Sequence, residues 1–237
     1  MSLDPHKGLF TPYPSSYVIF RERGVLSQFS RHESAVNADG SWDLGLITPF
    51  LGSRGFESLA TWMLLRHVGV RRLGDLVESR QAHVRYLERR IDDSGLFVRL
   101  NDVDFYRLAF VLCPPSVRRL LDGLDPEHRR QAAQTISRYT SRLNEGLYRS
   151  GAVCFDEHTL TDLADRVGAG PDVSYTIMAA CPGNPLLSRA DLDRAVDHLV
   201  EAALPLVADL LADLGAGTGV KDAAPTLAGP AGWGDMP

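Results

Sequence analysis

The sequence predicts an α/β mixture, with a compact α+β arrangement in its second half and a helix- and loop-rich stretch before it. Three observations carry this. After Asp92, short β-branched and apolar runs alternate with amphipathic stretches. Two of those runs stop at Pro114-Pro115 and Pro182-Gly183, where a strand ladder loses its donor. Two long helical patterns open on capping signals, Asp125-Pro126 and Ser188 with Asp191 three residues on.

Taken in order, residues 16–20 (SYVIF) are β-branched and aromatic after a Pro-rich stretch and read as a short strand. Arg21 to Gly24 reads as a turn. Residues 27–45 are polar around Asn37-Ala38-Asp39-Gly40 and form a long loop. From Gly55 to about His67, Phe56, Leu59, Trp62 and Met63 make a helix that is apolar around most of its circumference, a pattern that predicts burial. A second, amphipathic helix runs from Leu73 to about Asp92 through Leu76, Val84, Leu87 and Ile91. Leu96 to Leu100 and Arg107 to Cys113 read as strands. A helix covers about 126–149, and Ala152 to Phe155 and Val173 to Ala180 read as two further strands. The last helix runs from Ser188 to about Leu214. The Gly-, Ala- and Pro-rich tail, 215–237, has no periodicity and is expected to be disordered. The textures therefore divide the chain at 1–93, 94–214 and 215–237.

Composition narrows the function. The net charge is −5 and the pI near 5.8, without the basic footprint that nucleic-acid binding requires. Arg71-Arg72 and Arg89-Arg90 lie among acids and read as solvated helix faces. No apolar run approaches the roughly 18 residues of a membrane span, and no signal peptide pattern is present, so no membrane partner is expected. Three well-separated cysteines, Cys113, Cys154 and Cys181, fit a reduced, cytoplasmic protein. No phosphate-binding loop, G-x-G-x-x-G, G-x-S-x-G elbow or H-E-x-x-H occurs, and the His residues make no metal-ligand pair at helical spacing.

Lysine usage points to one residue. Lys7 and Lys221 are the only lysines; Arg supplies the remaining positive charge. A guanidinium stays protonated, whereas an amine can lose its proton and act as a nucleophile. Lys221 lies in the tail. Lys7 sits in Asp4-Pro5-His6-Lys7, ahead of Gly8, a Pro-Tyr pair and the strand at 16–20. Downstream, Gly52-Ser53-Arg54-Gly55 leads into the LATWMLLRHVG helix.

This series, D-x-H-K, then a strand, then G-S-R with its Trp-containing helix, resembles the group II pyridoxal-phosphate (PLP) decarboxylases, which include aromatic amino acid, tyrosine and glutamate decarboxylases. Ser-x-x-Asp-Leu before the last helix adds a weaker match, and the resemblance covers about residues 4–205. It implies a fold-type-I enzyme with residues 1–93 as part of its large, PLP-binding domain and 94–214 as the C-terminal small domain. It implies PLP bound covalently to Lys7, with His6 at the cofactor phosphate. It implies a backbone amide and hydroxyl from Gly52 and Ser53 to that phosphate, often across a dimer interface, and Arg54 anchoring the loop or meeting an anionic group. The reaction implied is decarboxylation of an amino acid in a homodimer. In the family a mobile loop commonly supplies a Tyr for proton return; here the corresponding loop, about Ser30 to Gly40, has none, and His32 is the residue in it suited to the task.

Most of the family's large domain precedes this motif, and the three residues ahead of Asp4 cannot hold it. The expectation is that this chain corresponds to the C-terminal half, active as part of a complete or complemented enzyme, with a partner chain as one source of the rest. Two alternatives stand beside it: a noncatalytic interaction module that has lost the cofactor site, and a carbon–carbon lyase of the sphingosine-phosphate lyase type.

Overall fold

The computed structural model describes residues 1–9, 11, 16–22, 25, 56, 58–184 and 186–218. The chain divides into two compact units, Met1–Glu78 and Ser79–Pro237.

In the first unit, β1 (Ser2–Leu3) pairs antiparallel with β2 (Tyr17–Val18), Ser2 opposite Val18 and Leu3 opposite Tyr17. Reciprocal bonds close the pair at its end: Ile19 N–H to the Met1 carbonyl and the Met1 ammonium to the Ile19 carbonyl, each 2.8 Å. The strand expected over 16–20 is thus two residues long, because its partner offers only two. Between the strands lies a single helical turn, α1 (Pro5–Gly8), with Pro5 at its first position, where a missing N–H costs nothing. Two helices follow, α2 (Ser58–Val68) and α3 (Val70–Ser94), parted at Gly69. Gly69 has φ +82, a left-handed conformation that suits glycine and ends one helix before the next begins.

The apolar circumference of α2 predicts burial, and the structure differs: Phe56 is 75% exposed, Trp62 59% and Met63 56%, with Thr61 the buried position. Apolarity all round marks a helix that needs cover; it does not guarantee that the same chain supplies it. Contiguous exposed apolar surface of this kind marks interfaces or association sites. The isolated chain is therefore expected to self-associate in light scattering and to bind a hydrophobic dye. Trp62→Gln with Met63→Gln should reduce both signals, and a dye-silent monomer would contradict the reading.

The second unit begins within α3. Its sheet has four antiparallel strands in the order β3 (Phe97–Arg99), β4 (Leu108–Leu112), β6 (Ser174–Ala180), β5 (Asp156–Thr161). The connections include α4 (Pro115–Asp122) and α5 (Pro126–Ser150), and α6 (Arg189–Thr218) closes the unit. Helix α5 packs on β4 and β6, and α6 packs on α5. Val84, Leu87 and Ile91 of α3 join the same core. Phe110, fully buried in β4, stands edge-on to Phe97 (5.4 Å) and to Phe155 (5.5 Å).

The capping signals form as expected. Asp125 accepts from the Glu127 and His128 N–H groups, both 3.0 Å. The Ser188 N–H donates to Asp191 at 2.8 Å while the Asp191 N–H donates to the Ser188 hydroxyl at 3.3 Å, the reciprocal pair of a capping box. Three expectations are corrected. The strand read at 152–155 is not there; Gly151, at φ +69, caps α5, and the following apolar residues turn Phe155 onto Phe110. The strand is β5, DEHTLT, polar because it is the edge of the sheet and largely exposed. Helix α4 occupies residues the sequence reading left as the stop after Pro114-Pro115; Val117 and Leu121, one turn apart, bury its inner face. Helix α6 runs to Thr218, four residues past Leu214. Of the tail, residues 219–237 lie outside the described residues.

Thr140 of α5 is fully buried, and its hydroxyl accepts the Leu112 N–H of β4 at 3.1 Å. Thr140→Val keeps the shape and removes the acceptor, stranding a buried donor. A loss of about 1–3 kcal/mol is expected in urea unfolding, with Thr140→Ser retaining most of the stability.

Candidate functional site

The site forms on the turn between β1 and β2. Asp4 stands at the N-cap position of α1 with extended backbone (φ −110, ψ 90), yet its carboxylate caps nothing. It is engaged elsewhere. One oxygen lies 2.7 Å from Lys7 Nζ, one helical turn on, and the other accepts the Ser16 hydroxyl at 2.7 Å. The β1–β2 register makes the second contact possible, since pairing Leu3 with Tyr17 brings the residues that flank the turn together. The Lys7 N–H bonds the Asp4 carbonyl at 2.9 Å, and the Leu9 N–H bonds the Pro5 carbonyl at 2.8 Å, so the turn holds its own backbone.

The Lys7 side chain is 59% exposed, which leaves its amine within reach of a solute. His6, beside it, is half-buried. Hydrogen bonds from Lys7 first and Ser16 second hold the Asp4 carboxyl below its ordinary 3.8. A depressed pKa means the charged pair is complete above 3.8 and is lost as pH falls through the lowered value. A carboxyl-carbon NMR titration should therefore place the Asp4 midpoint below 3.8, and Lys7→Ala should move it up.

Lys7 and His6 thus come together on one turn, as the sequence reading has them adjacent. His32, Gly52, Ser53 and Arg54 lie outside the described residues. The sequence reading missed the roles of Asp4 and Ser16. The Asp4 signal was available, since an acid three residues before a lysine shares its helical face; Ser16 is twelve residues away and meets Asp4 only through the strand pairing. Among the described residues no group of His, Cys, Asp or Glu could hold a metal ion, and no helix is long and apolar enough to cross a membrane.

Over 85% of its length the chain is similar to solved structures. Against the crystal structure of mouse CSAD the TM-score is 0.64 at 21% identity, covering 85% of this chain and 39% of that one. Against mouse CSAD in its apo form it is 0.63 at 20% identity, with the same coverage. The chain shares the fold of part of mouse CSAD. The chain spans 39% of the length of mouse CSAD. Oryza sativa TDC, crystallised with PLP and tryptamine, is similar at a TM-score of 0.48 and 15% identity, over 64% of this chain and 27% of that one. No protein-family model matches the chain, and no curated protein does.

The donor set fits an aldehyde cofactor at its reactive end. An accessible primary amine is the group that condenses with an aldehyde, and the carboxylate 2.7 Å away can hold the side chain in place.

Proposed function

We propose that the chain binds pyridoxal 5'-phosphate covalently through Lys7 and serves in decarboxylation of an amino acid, as one portion of a dimeric cytoplasmic enzyme. The observation that carries this is the Lys7–Asp4–Ser16 arrangement on a decarboxylase fold: an accessible amine, paired at 2.7 Å with an acid that a hydroxyl fixes from its other side. When bound, the cofactor supplies an electron sink for the carbanion left by loss of carbon dioxide.

The chain's own residues divide the remaining work. Asp4 orients Lys7 as its ammonium, and the amine becomes a nucleophile once that proton passes to solvent. Ser16 keeps the Asp4 carboxylate from rotating back to cap α1. His6, next to Lys7, would meet the cofactor phosphate. Gly52 and Ser53 would offer a backbone amide and a hydroxyl to that phosphate, and Arg54 would anchor their loop. His32 would return a proton to the carbon from which carbon dioxide departs. The rest of the enzyme would supply the remaining walls of the pocket and with them substrate choice.

A second reading, a noncatalytic interaction module, is favoured by the exposed Trp62 and Met63 surface. Titration with PLP separates the two. The decarboxylase reading expects a saturable visible absorption band, and carbon dioxide release from an aromatic or acidic amino acid once the rest of the enzyme is supplied. A band that never saturates, with no release in the complemented enzyme, would favour the module.

A further inference from the structure

The second unit contains a cavity of about 190 Å³ between its sheet and two of its helices. Leu108 and Phe110 of β4, Ile91 of α3, and Leu192 and Val196 of α6 line it, and all five are buried. The polar side chains on its wall belong to residues that reach solvent: Cys154 is exposed, and Cys181 and Asp191 are half-buried. Two of these are already engaged. The Asp191 carboxylate is held by the Ser188 hydroxyl and by Arg194, and Cys181 Sγ accepts the Arg107 Nε–H at 3.3 Å. Among the described residues, the buried side-chain polar atoms that lack a hydrogen bond all belong to residues away from this wall. A buried water takes about two to four polar partners, and the inner wall has no polar side chain to offer one. An apolar cavity of roughly 150 Å³ walled by Leu, Ile and Phe stays dry and accepts a benzene ring. This cavity has the same wall chemistry and slightly more room.

We propose that this cavity is a binding site for the single aromatic ring of a small neutral molecule. Size sets the first part of that class. A drug-sized ligand occupies a pocket of roughly 300–1,000 Å³, whereas one ring matches the space here. Charge sets the second part. No Lys, Arg or His lines the cavity, and its one acid is committed to the cap of α6 and to Arg194. An ion entering would lose its hydration and find no partner. A free amino acid, charged at both ends, is therefore excluded, and the cavity shares no residue with the Lys7 turn. A neutral ring loses little on leaving water and gains contact with Leu108, Leu192 and Val196 and with the ring of Phe110.

The test titrates the full chain, methyl-labelled at Ile, Leu and Val, with benzene and follows the methyl signals by NMR. Saturable ring-current shifts are expected at Ile91, Leu108, Leu192 and Val196, while Leu163 and Leu186, both exposed, stay in place. Benzoate, the same ring carrying a charge, should move none of the four. Ala195 lines the cavity from α6 and is half-buried, so it can be enlarged from the solvent side. Ala195→Phe should abolish the shifts by placing a ring of its own in the space. Ala195→Leu, a smaller intrusion that puts less strain on the fold, should weaken binding several-fold. Absent shifts, shifts that rise without saturating or spread equally to Leu163, an equal response to benzoate, or undiminished binding in folded Ala195→Leu would each overturn the proposal.

Discussion

Lys7→Ala is expected to abolish covalent capture of PLP rather than weaken it. The reason is inventory. Lys221 is the only other lysine, and no guanidinium among the arginines can serve as an amine nucleophile. The loss should appear as disappearance of the saturable absorption band. In a complemented enzyme, amino acid decarboxylation should fall on the order of 10³-fold or more, the scale for removing a nucleophile. Lys7→Arg is the sharper control. It keeps a cation for Asp4, and hence the 2.7 Å pair that organises the turn, but offers no reactive amine. Lys7→Arg should therefore retain the circular dichroism and thermal midpoint of the unmutated chain while failing to bind cofactor. Retained capture in Lys7→Arg would assign the chemistry elsewhere.

The largest stability effect is expected at Phe110. Its ring is fully buried and stands edge-on to Phe97 on one strand and to Phe155 in the segment leading to β5. Phe110→Ala removes both aromatic contacts and leaves a void beside the cavity that Phe110 already lines. A cost of about 3–5 kcal/mol follows for truncating a buried aromatic, a large share of the roughly 5–15 kcal/mol that holds a typical domain. Urea unfolding followed by far-UV circular dichroism would read this as a lower midpoint at similar slope. Phe110→Leu, which refills most of the volume, should recover more than half of it. An unchanged midpoint in Phe110→Ala would mean that the second unit is not organised around this ring.

What the sequence makes plain and what it conceals follows from the range of the interactions. The caps at Asp125 and Ser188–Asp191 are local, and both form between the residues that sequence alone pairs. The strands β3, β4 and β6 carry their own apolar runs, as central or core-facing strands do. Strand β5 carries none, because an edge strand exposed along most of its length has little to bury. Its recognition depends on β6, and the apolar Val153 and Phe155 just before it draw the strand assignment to the wrong side of Asp156. Strand β1, two exposed residues, exists only because Tyr17 and Val18 come back to it. The candidate site divides the same way. Lys7 stands out by the scarcity of lysine and its motif, and Asp4 is one turn away. Ser16 reaches Asp4 only through strand pairing, which no spacing in the sequence displays.

The central claim is that Lys7 is the cofactor lysine, and one measurement bears on it most directly. The chain is incubated with PLP, reduced with borohydride and mapped by peptide mass spectrometry. Lys221 and the N-terminal amine serve as internal controls for nonspecific reaction. The account predicts a single reduced adduct on Lys7 that saturates with cofactor. An adduct spread over all three amines, or absent from Lys7 while Lys221 reacts, would contradict it.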